Sequence, residues 1–181
     1  FAEQGSRVGF VDLDEEASRA LVESVRKRGC REPLFRKCDI RDTAAFQRTI
    51  GDIAASLGPI AVLVNNAARD DRHSLEEVTE AYFDERMATN FRHQYFAIQA
   101  VAPGMRNAGG GSIVNLSSMS FVAMTPRLSV YQAAKAAVLG MTRGLARDLG
   151  PDAIRVNAVM PGWIMTERQI KLWLTPESEA A

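Results

Sequence analysis

Runs of strand-forming residues alternate with stretches of helical spacing along this chain, and that alternation limits the possible folds more than any other feature. Ile60-Ala61-Val62-Leu63-Val64 is apolar throughout. This is the pattern of a parallel strand covered on both faces, and it predicts a central strand. Further strands are predicted at 7–12, 34–39, 112–116 and 154–159. Between them, Ala17, Leu21 and Val25 share one face of a helix over 15–28, and Phe46, Ile50, Ile53 and Ala54 line a helix that Asp42 or Thr43 can cap. A longer helical pattern over 79–107 is predicted to break near Asn90 and to end soon after Pro103, and another helix covers 129–149. Gly29, Gly58-Pro59, Gly109-Gly110-Gly111 and Gly150-Pro151 punctuate these elements. Strand, helix and strand repeated in this order require right-handed crossovers. The expectation is therefore an α/β, doubly wound parallel sheet, Rossmann-like, with ligands beyond the carboxyl ends of its strands.

With 181 residues, 46% of them hydrophobic, the chain has material for one core, and 1–181 is read as a single dinucleotide-binding and catalytic domain. The formal net charge is +0 and the basic residues are interspersed with acidic ones, which leaves no footprint for nucleic acid or an anionic membrane. A small-molecule partner is expected instead. No apolar run reaches the ~20 residues of a membrane span and no signal peptide is visible, so a cytoplasmic location is expected. Cys30 and Cys38 have neither a CxxC spacing nor clustered histidines, and are read as reduced thiols with no metal and no disulfide. Phe1 to Gly5 reads as the last turn of a helix and its glycine stop, so the fold is expected to be incomplete at both termini.

Tyr131 and Lys135 lie four residues apart on a predicted helix, which sets phenol and ammonium on one face. A phenol is a poor base at neutral pH, and a fixed neighbouring cation would stabilise its phenolate. On its own this spacing is weak, since a half-buried tyrosine beside a solvated lysine gives the same pattern.

Asn65-Asn66-Ala67-Ala68 after one strand, Ser117-Ser118 after the next, Tyr131-Gln132-Ala133-Ala134-Lys135, and Pro161-Gly162-Trp163-Ile164-Met165-Thr166 occur in an order that resembles the classical short-chain dehydrogenase/reductase family. The resemblance covers the whole chain. It implies that Tyr131 is the general base, that Ser118, thirteen residues earlier, holds the reacting oxygen, and that Lys135 lowers the Tyr131 pKa and binds the nicotinamide ribose. Ser117 is the competing serine. Asn90 matches the family asparagine that keeps a water in the proton path. For the cofactor, the resemblance implies Asp12 on the adenosine ribose, Asp39 and Ile40 at the adenine, and Asn66, Ala67 and Ala68 beneath the dinucleotide. Pro161, Gly162, Ile164 and Thr166 would hold the carboxamide end. A carboxylate at Asp12 favours NAD over NADP, while Asp14 is the alternative reading, an acid at a helix N-terminus. Ala68 departs from the family's NNAG pattern. The family's Gly-rich phosphate turn precedes the residues at hand, so the sheet would lack a central member and these residues alone would be poorly stable and nearly inactive.

The phrases around Asn65 to Ser74, Asn90 to Gln94 and Lys171 to Glu177 are similar to bacterial aldose 1-dehydrogenases of the D-xylose type. They imply oxidation of a sugar to its lactone, with Arg69, Asp70, Trp163 and Trp173 as candidate walls of the sugar pocket. His73 and His93 are read as structural hydrogen-bonding residues. Two alternatives stand beside this reading: a family member acting on another secondary alcohol or ketone, and a non-catalytic dinucleotide-binding protein. The resemblance further implies a homodimer or homotetramer joined through the 79–107 and 129–149 helices, a role that could also stand alone in a structural subunit.

Overall fold

A computed structural model describes residues 1–173. The elements run β1 (Gly9–Asp12), α1 (Glu15–Lys27), β2 (Leu34–Lys37), α2 (Thr43–Leu57), β3 (Val62–Asn65), α3 (Glu80–Met87), a π-helical turn (Ala88–Arg92), α4 (His93–Asn107), β4 (Gly111–Leu116), α5 (Ser129–Leu149), β5 (Ile154–Val159) and α6 (Glu167–Trp173). Local chemistry starts the helices where the sequence places them. Asp14 accepts from Ala17 N at 2.9 Å, Asp42 from Ala45 N at 2.9 Å and Thr79 from Tyr82 N at 3.1 Å. Gly58, at φ +89°, takes the conformation that ends α2. The expected break near Asn90 is the π turn, a wider winding of the backbone over Ala88–Arg92.

All strand pairs are parallel, but the ladder is in two pieces. β1 pairs with β2, and β3, β4 and β5 form a second sheet in that order. Among the described residues no strand joins β1 to β3. Among the described residues β3, predicted as a central strand covered on both faces, has β4 as its one neighbour, with Val62 50% and Val64 41% exposed. Across the register the same face carries Val114 and Val159, the latter 48% exposed. The apolar run reflects a face that the described residues leave open.

The other face is closed. Ile113 on β4, wholly buried, meets a cluster of Phe46 and Ile50 from α2, Ala97, Ile98, Val101 and Met105 from α4, Leu149 from α5, and Ile154 and Val156 from β5. Gly111 permits this approach, because a Cβ there would sit 2.4 Å from the Met105 sulfur. Truncating Ile113 to Ala is expected to lower the unfolding free energy by about 2–5 kcal/mol, read as a lower denaturant midpoint at unchanged slope.

One polar seam crosses this core. Asn65 and Asn115 are paired across β3 and β4; Asn65 Nδ2 donates to Asn115 Oδ1 at 2.9 Å, and Asn115 Nδ2 donates to Thr142 Oγ1 on α5 at 3.0 Å. Buried amides that satisfy one another in this way fix the register of two strand ends against one helix. The chain leaving those ends builds the site.

Candidate active site

Three segments meet beyond the carboxyl ends of the strands. Ser117 and Ser118 leave β4, the loop starting at Pro161 leaves β5, and the first turn of α5 brings up Tyr131. Ser117 N donates to Val159 O at 2.8 Å and Met119 N to Pro161 O at 3.0 Å, so the two loops are joined at their roots. Gln132 Nε2 donates to Ser120 O at 2.9 Å and Thr125 O at 2.7 Å, which ties the turn after Ser118 to the helix carrying Tyr131.

The structure separates the two serines. Ser117 is buried and its hydroxyl donates to Lys135 O at 2.7 Å, a structural bond between β4 and α5. Ser118 is half-buried; its hydroxyl lies 3.0 Å from Ser120 Oγ and accepts from Ser120 N at 3.1 Å. It also acts on the Tyr131 phenol. Burial pushes that phenol above its ordinary value, the hydrogen bond with Ser118 works in the opposite direction, and the charge of Asp70 adds to the rise. Lys135 is 1% exposed, donates from Nζ to Leu116 O at 2.7 Å and sits 5.6 Å from the Tyr131 ring centroid. The lowering of Tyr131 expected from Lys135 is thus not what this arrangement gives, because the ammonium is aimed at a carbonyl and the ring is desolvated. Burial brings the Lys135 ammonium itself down to about 8.

Asn90 is fully buried in the π turn. Its side chain accepts from Arg69 N at 2.7 Å and donates to Arg86 O at 3.0 Å, and its carbonyl accepts from Gln94 Nε2 at 3.2 Å. It anchors the loop that follows β3. His73 behaves as read: Nδ1 lies 3.0 Å from Ser74 O and Nε2 accepts from Val130 N at 3.4 Å, under the first turn of α5. His93 does not. It is buried with neither ring nitrogen in a hydrogen bond of good geometry, and burial together with the Lys135 charge pushes it down to about 4 against the pull of the Ala88 and Thr89 carbonyls. A neutral ring inside a helix pair, beside Phe46, explains its place.

Asp12 and Asp14 also part company. Asp14 is spent as the cap of α1, whereas Asp12 stands exposed at the end of β1 with Oδ1 accepting from Asp14 N at 3.0 Å. Asp39 is held by Arg41, whose guanidinium keeps its carboxyl below the usual range, and Ile40 packs against the core. Asn66, Ala67 and Ala68 are exposed, as are Gly162 and Ile164, with Pro161 half-buried. Thr166 Oγ1 accepts from Gln169 N at 3.2 Å, capping α6. Of the candidate pocket walls, Asp70 binds α6 through Gln169, Trp163 Nε1 donates to Gln169 Oε1 at 3.2 Å, Arg72 lies 4.4 Å over the Trp173 ring, and Arg69 pairs with Asp71 at 2.7 Å. Leu174 to Glu177, part of the phrase similar to aldose dehydrogenases, lie outside the described residues. Gln132, Arg168 and Gln169 were not singled out from the sequence; nothing in their spacing marks them, since their partners lie up to 99 residues away.

Comparison with known proteins agrees with this geometry. The family model described as "Enoyl-(Acyl carrier protein) reductase" matches residues 1–180. The chain is 52% identical over 180 residues to a "Probable galactose dehydrogenase" of Rhizobium meliloti and 48% identical over 180 residues to a D-xylose 1-dehydrogenase of Caulobacter vibrioides. In both cases it covers 99% of this chain and 70% of the relative. A solved 7α-hydroxysteroid dehydrogenase, complexed with NADH and 7-oxo glycochenodeoxycholic acid, superposes with a TM-score of 0.92 at 30% identity, over 99% of this chain and 69% of that one. A blue fluorescent protein from a metagenomic library, in complex with NADPH, superposes at 0.84 with 36% identity, over 92% of this chain and 68% of that one.

Proposed function

The chain belongs to the short-chain dehydrogenase/reductase family of oxidoreductases, and we propose that it oxidises the anomeric hydroxyl of an aldose such as D-xylose to the lactone with NAD. The observation that carries the reaction is the meeting of Tyr131, Ser118 and the buried Lys135 at the end of β4. Tyr131, as phenolate, takes the hydroxyl proton. Ser118 Oγ hydrogen-bonds the same oxygen and holds it at the phenol as the carbonyl forms. A nicotinamide dinucleotide, when bound, supplies the acceptor for the hydride lost from that carbon.

The residues present fit such a cofactor. Among the described residues the Lys135 ammonium has one hydrogen-bond partner, and an ammonium carries three donors. The remaining donors suit ribose hydroxyls and the Tyr131 oxygen. Asp12 stands exposed at a strand end, and a carboxylate there accepts from the adenosine ribose and repels a 2′-phosphate, which favours NAD. Asp39, Ile40, Asn66, Ala67 and Ala68 are assigned to the adenosine side, and Pro161, Gly162, Ile164 and Thr166 to the carboxamide side. Asn90 holds the loop under the pocket and keeps a water in the proton path. The aldose assignment draws on the two sugar dehydrogenases at about half identity. α4 and α5, whose Tyr95, Met141 and Leu145 line a shared groove with Phe91 of the π turn, are the proposed subunit contact.

The test is reduced-cofactor formation by the intact protein carrying this chain, with NAD or NADP, on D-xylose, L-arabinose, D-glucose, D-galactose and a cyclic secondary alcohol. Turnover of an aldose with NAD is the expected result. Turnover of the alcohol alone would keep the chemistry and discard the sugar, and a preference for NADP would overturn the role given to Asp12.

A further inference from the structure

α6 is a short helix with little apolar contact to hold it. Seven residues are too few for a helix to be stable by itself in water, and Ile170 and Leu172 are 45% and 49% exposed. Within α6 only Gln169 and Trp173, four residues apart on one side, are half-buried. That side is met by the loop after β3. Asp70 Oδ2 accepts from Gln169 Nε2 at 2.8 Å, and Gln169 Oε1 accepts from Trp163 Nε1 at 3.2 Å, so one amide joins Asp70 to the loop that leaves β5. Arg168 donates to Asp70 Oδ1 and reaches Asp71 at 3.3 Å, and the Arg72 guanidinium lies 4.4 Å over the Trp173 ring. The loop after β3 is a firm base for these contacts. Arg69 N donates to the fully buried Asn90 at 2.7 Å, and Asp71 Oδ2 accepts from Nη1 of the buried Arg86 on α3 at 2.6 Å. The root of the β5 loop is fixed as well, since Pro161 O accepts from Met119 N beside Ser118. Residues 162–166 therefore run between two anchored points, and Gln169 makes the second.

From this geometry we propose that Gln169 is a positioning residue: by joining Asp70 to Trp163 it seats α6 and holds the β5 loop in the conformation that receives the sugar and the nicotinamide. The inference rests on the reading of the chain as an aldose dehydrogenase. It gives Asp70 and Trp163 a use other than direct sugar contact, because both Asp70 oxygens and the Trp163 indole N–H are engaged with α6. An amide suits the place, since one end must donate to a carboxylate while the other accepts from an indole. Where the link is broken, only the fraction of molecules with α6 seated is ready to bind, and apparent affinity falls by that fraction. The ternary complex, once formed, is seated and turns over at nearly the same rate.

The link can be broken from either end and then remade. In the intact protein, D70N and Q169E are each expected to raise KM for NAD and for the aldose about tenfold, with kcat within about twofold of the unmodified protein. D70N leaves one acceptor where Gln169 and Arg168 need two, and Q169E sets two carboxylates against each other. The double variant D70N/Q169E reverses the bond: the amide at position 70 donates to the carboxylate at position 169, which can still accept from Trp163. Its KM values should return to within about twofold of the unmodified ones. The same pattern is expected without turnover, in the rate of trypsin cleavage after Lys171, an exposed residue that is cut only when α6 opens locally: faster in each single variant and restored in the double. Failure of the double variant to recover, in KM or in cleavage, would overturn the proposal, as would a loss that falls on kcat with KM unchanged. A rise in KM confined to one of D-xylose, D-glucose and D-galactose would also overturn it, since that is the mark of a side chain touching one sugar hydroxyl. Absence of aldose turnover in the unmodified protein is a different failure: it removes the reading beneath, while the cleavage rates still decide whether Asp70 and Gln169 hold α6 together.

Discussion

Tyr131→Phe is expected to reduce kcat/KM for the aldose by about 10²–10⁴-fold, with the thermal midpoint and NADH affinity close to those of the unmodified protein. The substitution keeps the ring and removes one oxygen from a half-buried position at the start of α5. Among the described residues no backbone group bonds to that oxygen, so the fold has little to lose. The reaction loses its proton acceptor. Because burial and Asp70 hold the phenol above its ordinary value, the oxidation should also climb with pH on the alkaline side of neutrality, where the phenolate becomes populated. Initial rates across pH, with a melting curve as the control for folding, decide the matter. A Phe variant that retains more than a tenth of the activity would move the proton-transfer role elsewhere, and Ser118 is the nearest hydroxyl.

What the sequence disclosed and what it withheld divide along a physical line. Helix starts were legible because their chemistry is local: a carboxylate or hydroxyl three residues ahead of an amide it can reach, as at Asp14, Asp42 and Thr79. The parallel alternation was legible because hydrophobic period changes between strand and helix. Tyr131, Lys135 and Ser118 were proposed from the order of motifs that resembles the family, and the structure brings the three together while giving the Ser117 hydroxyl a different partner, the Lys135 carbonyl. The exposed face of β3 was not legible, since an apolar run records what a strand is built to meet and not which neighbours are at hand. Nor was the clamp on α6. Asp70 carries no local sign that Gln169 will be its partner, and long-range polar contacts have no period to betray them. His93 shows the limit from the other side: a histidine near Lys135 invites an acid/base role, yet its burial holds it neutral.

Lys135→Met should produce a protein that is at least as stable at pH 7 and nearly inert. Lys135 is almost wholly buried, and its ammonium loses more in desolvation than the Leu116 carbonyl returns, which is why its proton leaves near 8 and not near the ordinary 10.5. The folded state releases that proton at about 8 and the unfolded chain at 10.5, so between those values the unfolded chain binds more protons. Stability of the unmodified protein must then rise with pH across that window, by up to about 3 kcal/mol, and is lowest below it, where the buried group is charged. Methionine fills the same volume without a charge to desolvate. The variant should show no such rise, which denaturant titrations at pH 7, 8, 9 and 10 would reveal. Its turnover should fall about a hundredfold or more, because the proposed cofactor's ribose hydroxyls lose the Lys135 donors. Activity lost while the pH dependence of stability persists would place the burden on another buried group. Activity kept while that dependence disappears would make Lys135 a structural cation of the β4–α5 junction and nothing more.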